Sequence, residues 1–173
     1  MKKATARIGL TNPKSPTNVG AVMRAAGCFE ADGVYYTGTR YDRAAQFHTD
    51  TKSVSQRIPL SGVDCLLDVL PELDEDTQLV CIDLVEGATS LAEFEHPENA
   101  FYIFGPEDGS LSQAVVDRAD AAVYIPTVGC LNLAATVNVV LYDRQAKRGA
   151  VQSGDELIRS SRDRNNSVSF NAD

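Results

Sequence analysis

Asn18, Gly20 and Arg24 share one short segment, Asn18-Val19-Gly20-Ala21-Val22-Met23-Arg24, and their types suit the binding of phosphate or carboxylate. Positions 20 and 24 are four apart, so on a helix they share a face. Gly20 leaves that face without a side chain, so a ligand or another backbone can come close to Arg24. The guanidinium offers a rigid fork of donors that matches phosphate and carboxylate oxygens. Ser15-Pro16-Thr17-Asn18 supplies the turn and the oxygen-bearing cap that start such a helix. Taken alone, the segment reads more simply as an ordinary capped helix with a surface arginine.

Three further segments have types suited to holding a ligand. Phe104-Gly105-Pro106-Glu107-Asp108-Gly109-Ser110-Leu111 combines glycines with two carboxylates. Ile125-Pro126-Thr127-Val128-Gly129-Cys130-Leu131-Asn132 bends and then opens a helix, and Asp83-Leu84-Val85-Glu86-Gly87 follows an apolar run. In open α/β sheets ligands collect at such strand ends. None has the spacing of a Gly-x-Gly-x-x-Gly or Walker loop, which argues against nicotinamide cofactors and nucleoside triphosphates. Metal chemistry is not expected either. The four cysteines, at 28, 65, 81 and 130, form no Cys-x-x-Cys pair, and three of them sit among apolar residues as small core side chains would. The two histidines, His48 and His96, are far apart, so neither a zinc site nor a histidine triad is expected.

The elements that must position these residues alternate between strand and helix. Strands are expected at 4–10, 33–37, 79–84, 100–104 and 121–126. Helices are expected at about 18–30, 89–94, 111–119 and 131–148, and Val63, Leu66, Leu67 and Leu70 add helical spacing up to Pro71. Residues 39–57 are polar and aperiodic, and suggest a long functional loop. Near-continuous apolar strands alternating with helices indicate an α/β fold, a mainly parallel open sheet with helices on both faces. Residues 1–152 are expected to form one domain, with 153–173 as a polar, flexible tail.

The 173-residue chain is 43% hydrophobic and 23% charged, as globular proteins are. It shows no membrane-length apolar run and no signal-peptide core near Met1, so a cytoplasmic protein is expected. The net charge of −8 hides a strong segregation. Residues 1–57 hold nine Lys/Arg against four Asp/Glu, whereas residues 58–142 hold Arg118 alone against fifteen acidic residues. A basic face on an acidic protein can therefore form and steer a polyanion.

Taken in order, these motifs resemble the SpoU/TrmH family of RNA ribose 2′-O-methyltransferases, in the SPOUT superfamily. Asn18, Gly20 and Arg24 match the first motif, Asn-x-Gly-x-x-x-Arg. Phe104, Gly105, Glu107 and Leu111 match the second, and Ile125, Pro126, Leu131 and Asn132 the third. Val139-Val140-Leu141-Tyr142-Asp143 is similar to the family's last helix, so the likeness covers about residues 5–150. Cys130 stands where serine is common, Ser110 where glycine is usual, and the loop from Pro126 to Leu131 is short.

The resemblance implies a C-terminal deep trefoil knot, a homodimer whose active site combines both subunits, and S-adenosylmethionine as cofactor. The cofactor would be held near Asp83, Gly105, Ile125, Cys130, Leu131 and Asn132. Arg24 would act on the ribose hydroxyl, with Asn18, Glu107 and Asn132 in support. A guanidinium is always protonated in proteins, so a clamp on phosphate and alkoxide suits Arg24 better than a base. RNA, with tRNA favoured over rRNA, would draw on Lys14, Arg40, Arg43, Lys52 and Arg57, and further on Arg144, Lys147 and Arg148. A non-catalytic RNA-binding protein and a flavodoxin-like binder of small ligands are the competing readings.

Overall fold

A computed structural model describes residues 3–45, 58–149 and 152–170. The chain runs β1 (Ala6–Leu10), α1 (Pro16–Cys28), β2 (Gly33–Tyr36), α2 (Arg40–Ala45), β3 (Leu60–Gly62), a 3-10 helix (Leu66–Glu72) and β4 (Gln78–Ile82). It continues through β5 (Thr89–Ser90), a 3-10 turn (Leu91–Glu93), β6 (Ala100–Phe104), α3 (Gln113–Arg118), β7 (Ala121–Tyr124), α4 (Leu133–Lys147) and α5 (Asp155–Ser161). Among the described residues seven strands form one sheet, in the order β3-β2-β1-β6-β4-β7-β5. Every pairing is parallel.

Alternating side chains build two cores. Val80, Ile82, Tyr102 and Phe104 point to the face covered by α1 and α4, where they meet Val19, Val22, Val137 and Val140. Leu79, Cys81, Phe101 and Ile103 point to the other face, against Leu66, Val69 and Leu111. Both faces of β4 and β6 are thus buried, which is why these strands read as unbroken apolar runs.

Several elements differ from the sequence expectation. Residues 40–45 of the expected loop form α2; the loop's remainder, with His48, Lys52 and Arg57, lies outside the described residues. The stretch with helical spacing closes as a 3-10 helix that contains Pro71 instead of stopping at it. Residues 89–90 extend the sheet before a single 3-10 turn, where a short helix was expected. The C-terminal segment carries α5, whose residues are all exposed; Asp155 and Glu156 at its start and Arg159 near its end complement the helix dipole. Only Cys81 of the four cysteines is buried.

Candidate active site

α1 begins two residues earlier than Asn18. Ser15 is the N-cap, its hydroxyl accepting from the Asn18 amide at 3.3 Å, and Pro16 occupies the first turn. Asn18 therefore lies inside the helix with its side chain free for longer-range bonds. Its Nδ2 donates to Glu107 Oε1 at 3.2 Å, and its Oδ1 accepts from Asn132 Nδ2 at 3.0 Å. Asn132 is itself the N-cap of α4, with Oδ1 accepting from the amides of Ala134 at 2.9 Å and Ala135 at 3.3 Å. One chain of amide and carboxylate groups thus ties the start of α1, the loop after β6 and the start of α4. All three expected motifs meet in it.

Beside this chain a cleft opens at the carboxyl ends of β4, β6 and β7. Of the residues expected near the cofactor, Asp83, Gly105, Ile125, Cys130 and Leu131 line it, and Glu107 lines it too; Asn132 does not, and instead caps α4 and bonds Asn18. Leu84 and Thr127, from the same expected segments, line it as well, and so does Thr136, which was not foreseen. Thr136 was accessible to sequence reasoning, because it follows Asn132 by four residues on α4; its hydroxyl donates to the Asn132 carbonyl at 3.0 Å. Among the described residues the amides of Cys130 and Leu131 have no hydrogen-bond partner, so this side of the cleft presents unused donors.

Asp83 serves the cleft indirectly. Its Oδ1 accepts from the Leu84 amide at 2.8 Å and its Oδ2 from the Leu111 amide at 2.9 Å. The carboxylate thereby closes the loop 105–111 over the end of β4. A Cβ on Gly105 would stand 2.7 Å from Asp83 Oδ2, so glycine is required there by close approach.

The expected cations divide into two groups. Arg24 is exposed and, among the described residues, makes no hydrogen bond or ion pair; it sits six residues beyond Asn18, about 9 Å along the helix. Arg43 is likewise exposed on α2. Arg40 pairs with both Asp108 oxygens, at 2.7 and 3.0 Å, and this bond holds the Asp108 carboxyl below its ordinary range. The Lys14 ammonium lies 3.8 Å from Asp108, and its amide donates to Glu107 at 3.3 Å. The basic N-terminal third and the acidic middle of the chain meet here.

Arg144, Lys147 and Arg148 are used within the fold. Arg144 is buried and donates to the carbonyls of Thr5, Pro97 and Glu98 and to Tyr102 Oη. Lys147 bonds Asp143 and the carbonyls of Leu91 and Phe94, and Arg148 pairs with Glu98 at 3.6 Å. His96, which has no obvious partner in sequence, is sealed between Tyr102 Oη at 2.6 Å and Asp143 Oδ2 at 2.9 Å. Among the described residues no cluster of His, Cys, Asp or Glu is placed to hold a metal, and no helix is long and apolar enough to cross a membrane.

Solved structures share this fold. The SpoU methyltransferase AviRb from Streptomyces viridochromogenes, in complex with AdoMet, superposes with a TM-score of 0.72 at 21% identity. That match covers 88% of this chain and 61% of AviRb. A structure described by the 2-OH methylation of C/U34 on tRNA matches with a TM-score of 0.69 at 22% identity, over 87% of this chain and 100% of its own. By sequence, an uncharacterized tRNA/rRNA methyltransferase of Mycolicibacterium smegmatis is 28% identical over 146 residues, which is 82% of this chain and 46% of the relative. The chain thus spans about half the length of that curated relative. The description of the SpoU rRNA Methylase family matches residues 5–142, from just before β1 into α4, and the chain belongs to that family.

Proposed function

We propose that this chain is an S-adenosylmethionine-dependent RNA methyltransferase that methylates a ribose 2′-hydroxyl, with tRNA as the favoured substrate. The observation that carries this reading is that the second and third motif segments line one cleft while the first is bonded to both beside it, Asn18 linking Glu107 to Asn132. The cleft suits an adenosine cofactor: Ile82, Leu84, Ile125 and Leu133 give apolar walls, and the free amides of Cys130 and Leu131 give donors. When bound, the sulfonium supplies an already activated methyl group, so the chain's own task is positioning and charge.

In this reading Asp83 and Gly105 shape the loop that closes the pocket, and Leu131 and Thr136 wall its far side. Asn18 stays fixed by Glu107 and Asn132. Arg24 clamps the phosphate beside the reacting ribose and stabilises the alkoxide that forms as the hydroxyl loses its proton. Arg24 lies well along α1 from the cleft and has no partner among the described residues, which supports a site completed by a second subunit. The outward faces of α1 and α4, two helices that pack side by side, fit such a dimer: Ala21 and Gly27 are exposed on one, Val139 and Tyr142 on the other, and Tyr142 is 65% exposed.

The family's knot belongs to the same proposal. β7 lies between β4 and β5, which are consecutive in the chain and joined only by residues 83–88. The preference for tRNA draws on the solved tRNA-modifying protein that matches over its full length. Residues 1–152 constitute the methyltransferase domain, with 153–173 an appended tail.

Two measurements test this reading. Calorimetry with S-adenosylmethionine should show stoichiometric binding, and transfer of labelled methyl to tRNA should leave a nuclease-resistant 2′-O-methyl dinucleotide. Arg24→Ala should lower transfer by about a hundredfold or more with cofactor affinity kept. An absence of cofactor binding removes the methyltransferase reading, and undiminished turnover in Arg24→Ala removes the role of Arg24.

A further inference from the structure

Arg40 carries the charge expected of a phosphate ligand, yet its donors are already committed. A guanidinium has five N–H groups. Nε and one hydrogen of Nη2 go to the Asn12 carbonyl; the other Nη2 hydrogen and one of Nη1 go to the two oxygens of Asp108. A single N–H on Nη1 remains. An incoming phosphate would have to displace a bidentate carboxylate, which is among the stronger contacts an arginine makes.

Arg40 and its two partners, Asn12 and Asp108, come from three different segments, each following a strand. Asn12 follows β1 and holds a positive φ of 42°, and its amide donates to Thr37 Oγ1 at 3.1 Å. Gly38 follows β2 with φ of 78°, and a Cβ there would fall 2.1 Å from Asn12 Oδ1, so these two loops interlock at a position only glycine can fill. Asp108 follows β6, directly after Glu107. β2, β1 and β6 are neighbours in the sheet, so one side chain gathers three adjacent strand ends. The same loops reach the active-site chain, since Glu107 accepts from the Lys14 amide and from Asn18 Nδ2.

We infer that Arg40 is a positioning residue for methyl transfer: by clasping Asp108 and the Asn12 carbonyl it fixes Glu107 against Asn18, and it does not bind RNA phosphate. Its consequence for catalysis rests on the methyltransferase reading above; the clasp itself does not. Lys14, held to Asp108 only by a loose 3.8 Å ion pair, and the exposed Arg43 of α2 are the described nearby cations left to meet a polyanion.

Amide hydrogen exchange and steady-state kinetics on Arg40→Ala, Asp108→Ala, the double variant and Arg40→Lys test the inference. Exchange across residues 11–18 and 105–111 should quicken in both alanine variants. Each should lose about ten- to a hundredfold in kcat with KM for RNA within about twofold, because the loss is one of alignment. The double variant should be no worse than either single one. Arg40→Lys keeps the charge and loses the fork, so it should fail to restore kcat. The salt dependence of RNA binding should keep its slope in all four.

The inference is overturned by any of three results. One is unchanged exchange in both alanine variants. Another is an Arg40→Ala enzyme whose kcat holds while KM rises and the salt slope falls by about one, the mark of a lost phosphate contact. The third is an Asp108→Ala protein that binds RNA more tightly, as freeing a phosphate ligand would produce. Should the wild-type protein methylate no RNA at all, the methyltransferase reading fails, and exchange still decides whether the clasp exists.

Discussion

At the scale of single residues, the Asp83–Gly105 contact joins sequence, geometry and function most directly. The Asp83 carboxylate spends both oxygens on main-chain amides, and the absent Cβ of Gly105 gives it room. Gly105→Ala would push a methyl group to 2.7 Å from an oxygen that is held by the Leu111 amide. Asp83 is too short to swing clear without giving up that bond, and a hydrogen bond to a charged acceptor contributes about 1.5–3 kcal/mol. Gly105→Ala should therefore weaken S-adenosylmethionine binding at least about tenfold by calorimetry. In an Asp83→Ala background the same change should add little, because the clash and the bond have both gone. Equal weakening in both backgrounds would show that Gly105 acts through something other than Asp83.

At the scale of elements, α4 is anchored through a buried polar strut. His96 accepts from Tyr102 Oη at Nδ1 and donates from Nε2 to Asp143, and Arg144 and Lys147 stand on either side. A neutral imidazole satisfies every one of these bonds; a second proton would put Nδ1–H against the tyrosine oxygen and add charge beside two cations. Burial, foremost, holds His96 below its ordinary 6.5, although Asp143 pulls it up. The unfolded chain therefore takes the proton first as pH falls. The stability contributed by this group is complete above 6.5 and is lost as pH drops from there through the lower folded value. Thermal midpoints measured from pH 7.5 down to 5 should fall for the wild-type protein and fall less for His96→Gln; parallel curves would exclude His96 as the cause. Such long-range pairs also mark the limit of sequence reading. β6 was legible to the residue, because Ala100–Phe104 is apolar on both faces. The loops that line the cleft were legible as glycine-bearing strand ends. β3 was not, since Leu60-Ser61-Gly62 adds only three residues at the sheet edge, and α2 was not, since Tyr41 alone is buried in an otherwise polar turn. No local pattern announces that Asn132 will meet Asn18 or that Asp143 will meet His96, because only the folded sheet brings them together.

At the scale of the whole molecule, the question is why Arg24 stands apart from the cleft that Asn18 of the same helix is tied to. Within one chain α1 presents Asn18 to Glu107 and Asn132, while Arg24 faces outward beside Ala21 and Gly27, where side chains are too small to cover it. On α4 the neighbouring outward positions are Val139 and Tyr142. A two-fold axis through this surface would make the same patch meet its copy and would carry each Arg24 into the other subunit's territory. The consequence is a countable one. In the proposed reading Arg24→Ala protein would keep an intact cofactor half but no clamp, and Gly105→Val protein would keep a clamp but no cofactor half. Mixed in equal amounts and allowed to exchange subunits, two inactive preparations should form heterodimers as half of all dimers. Each heterodimer would hold one site in which both halves are intact, so about a quarter of wild-type activity should return. If Arg24 served the cleft of its own chain, every site in the mixture would lack one half, and no activity would return at any ratio. Val139→Asp with Tyr142→Asp supplies the complementary arm: if, as proposed, the pocket lies within one chain and the clamp comes from the other, it should leave a monomer that binds S-adenosylmethionine with near wild-type affinity and transfers no methyl group.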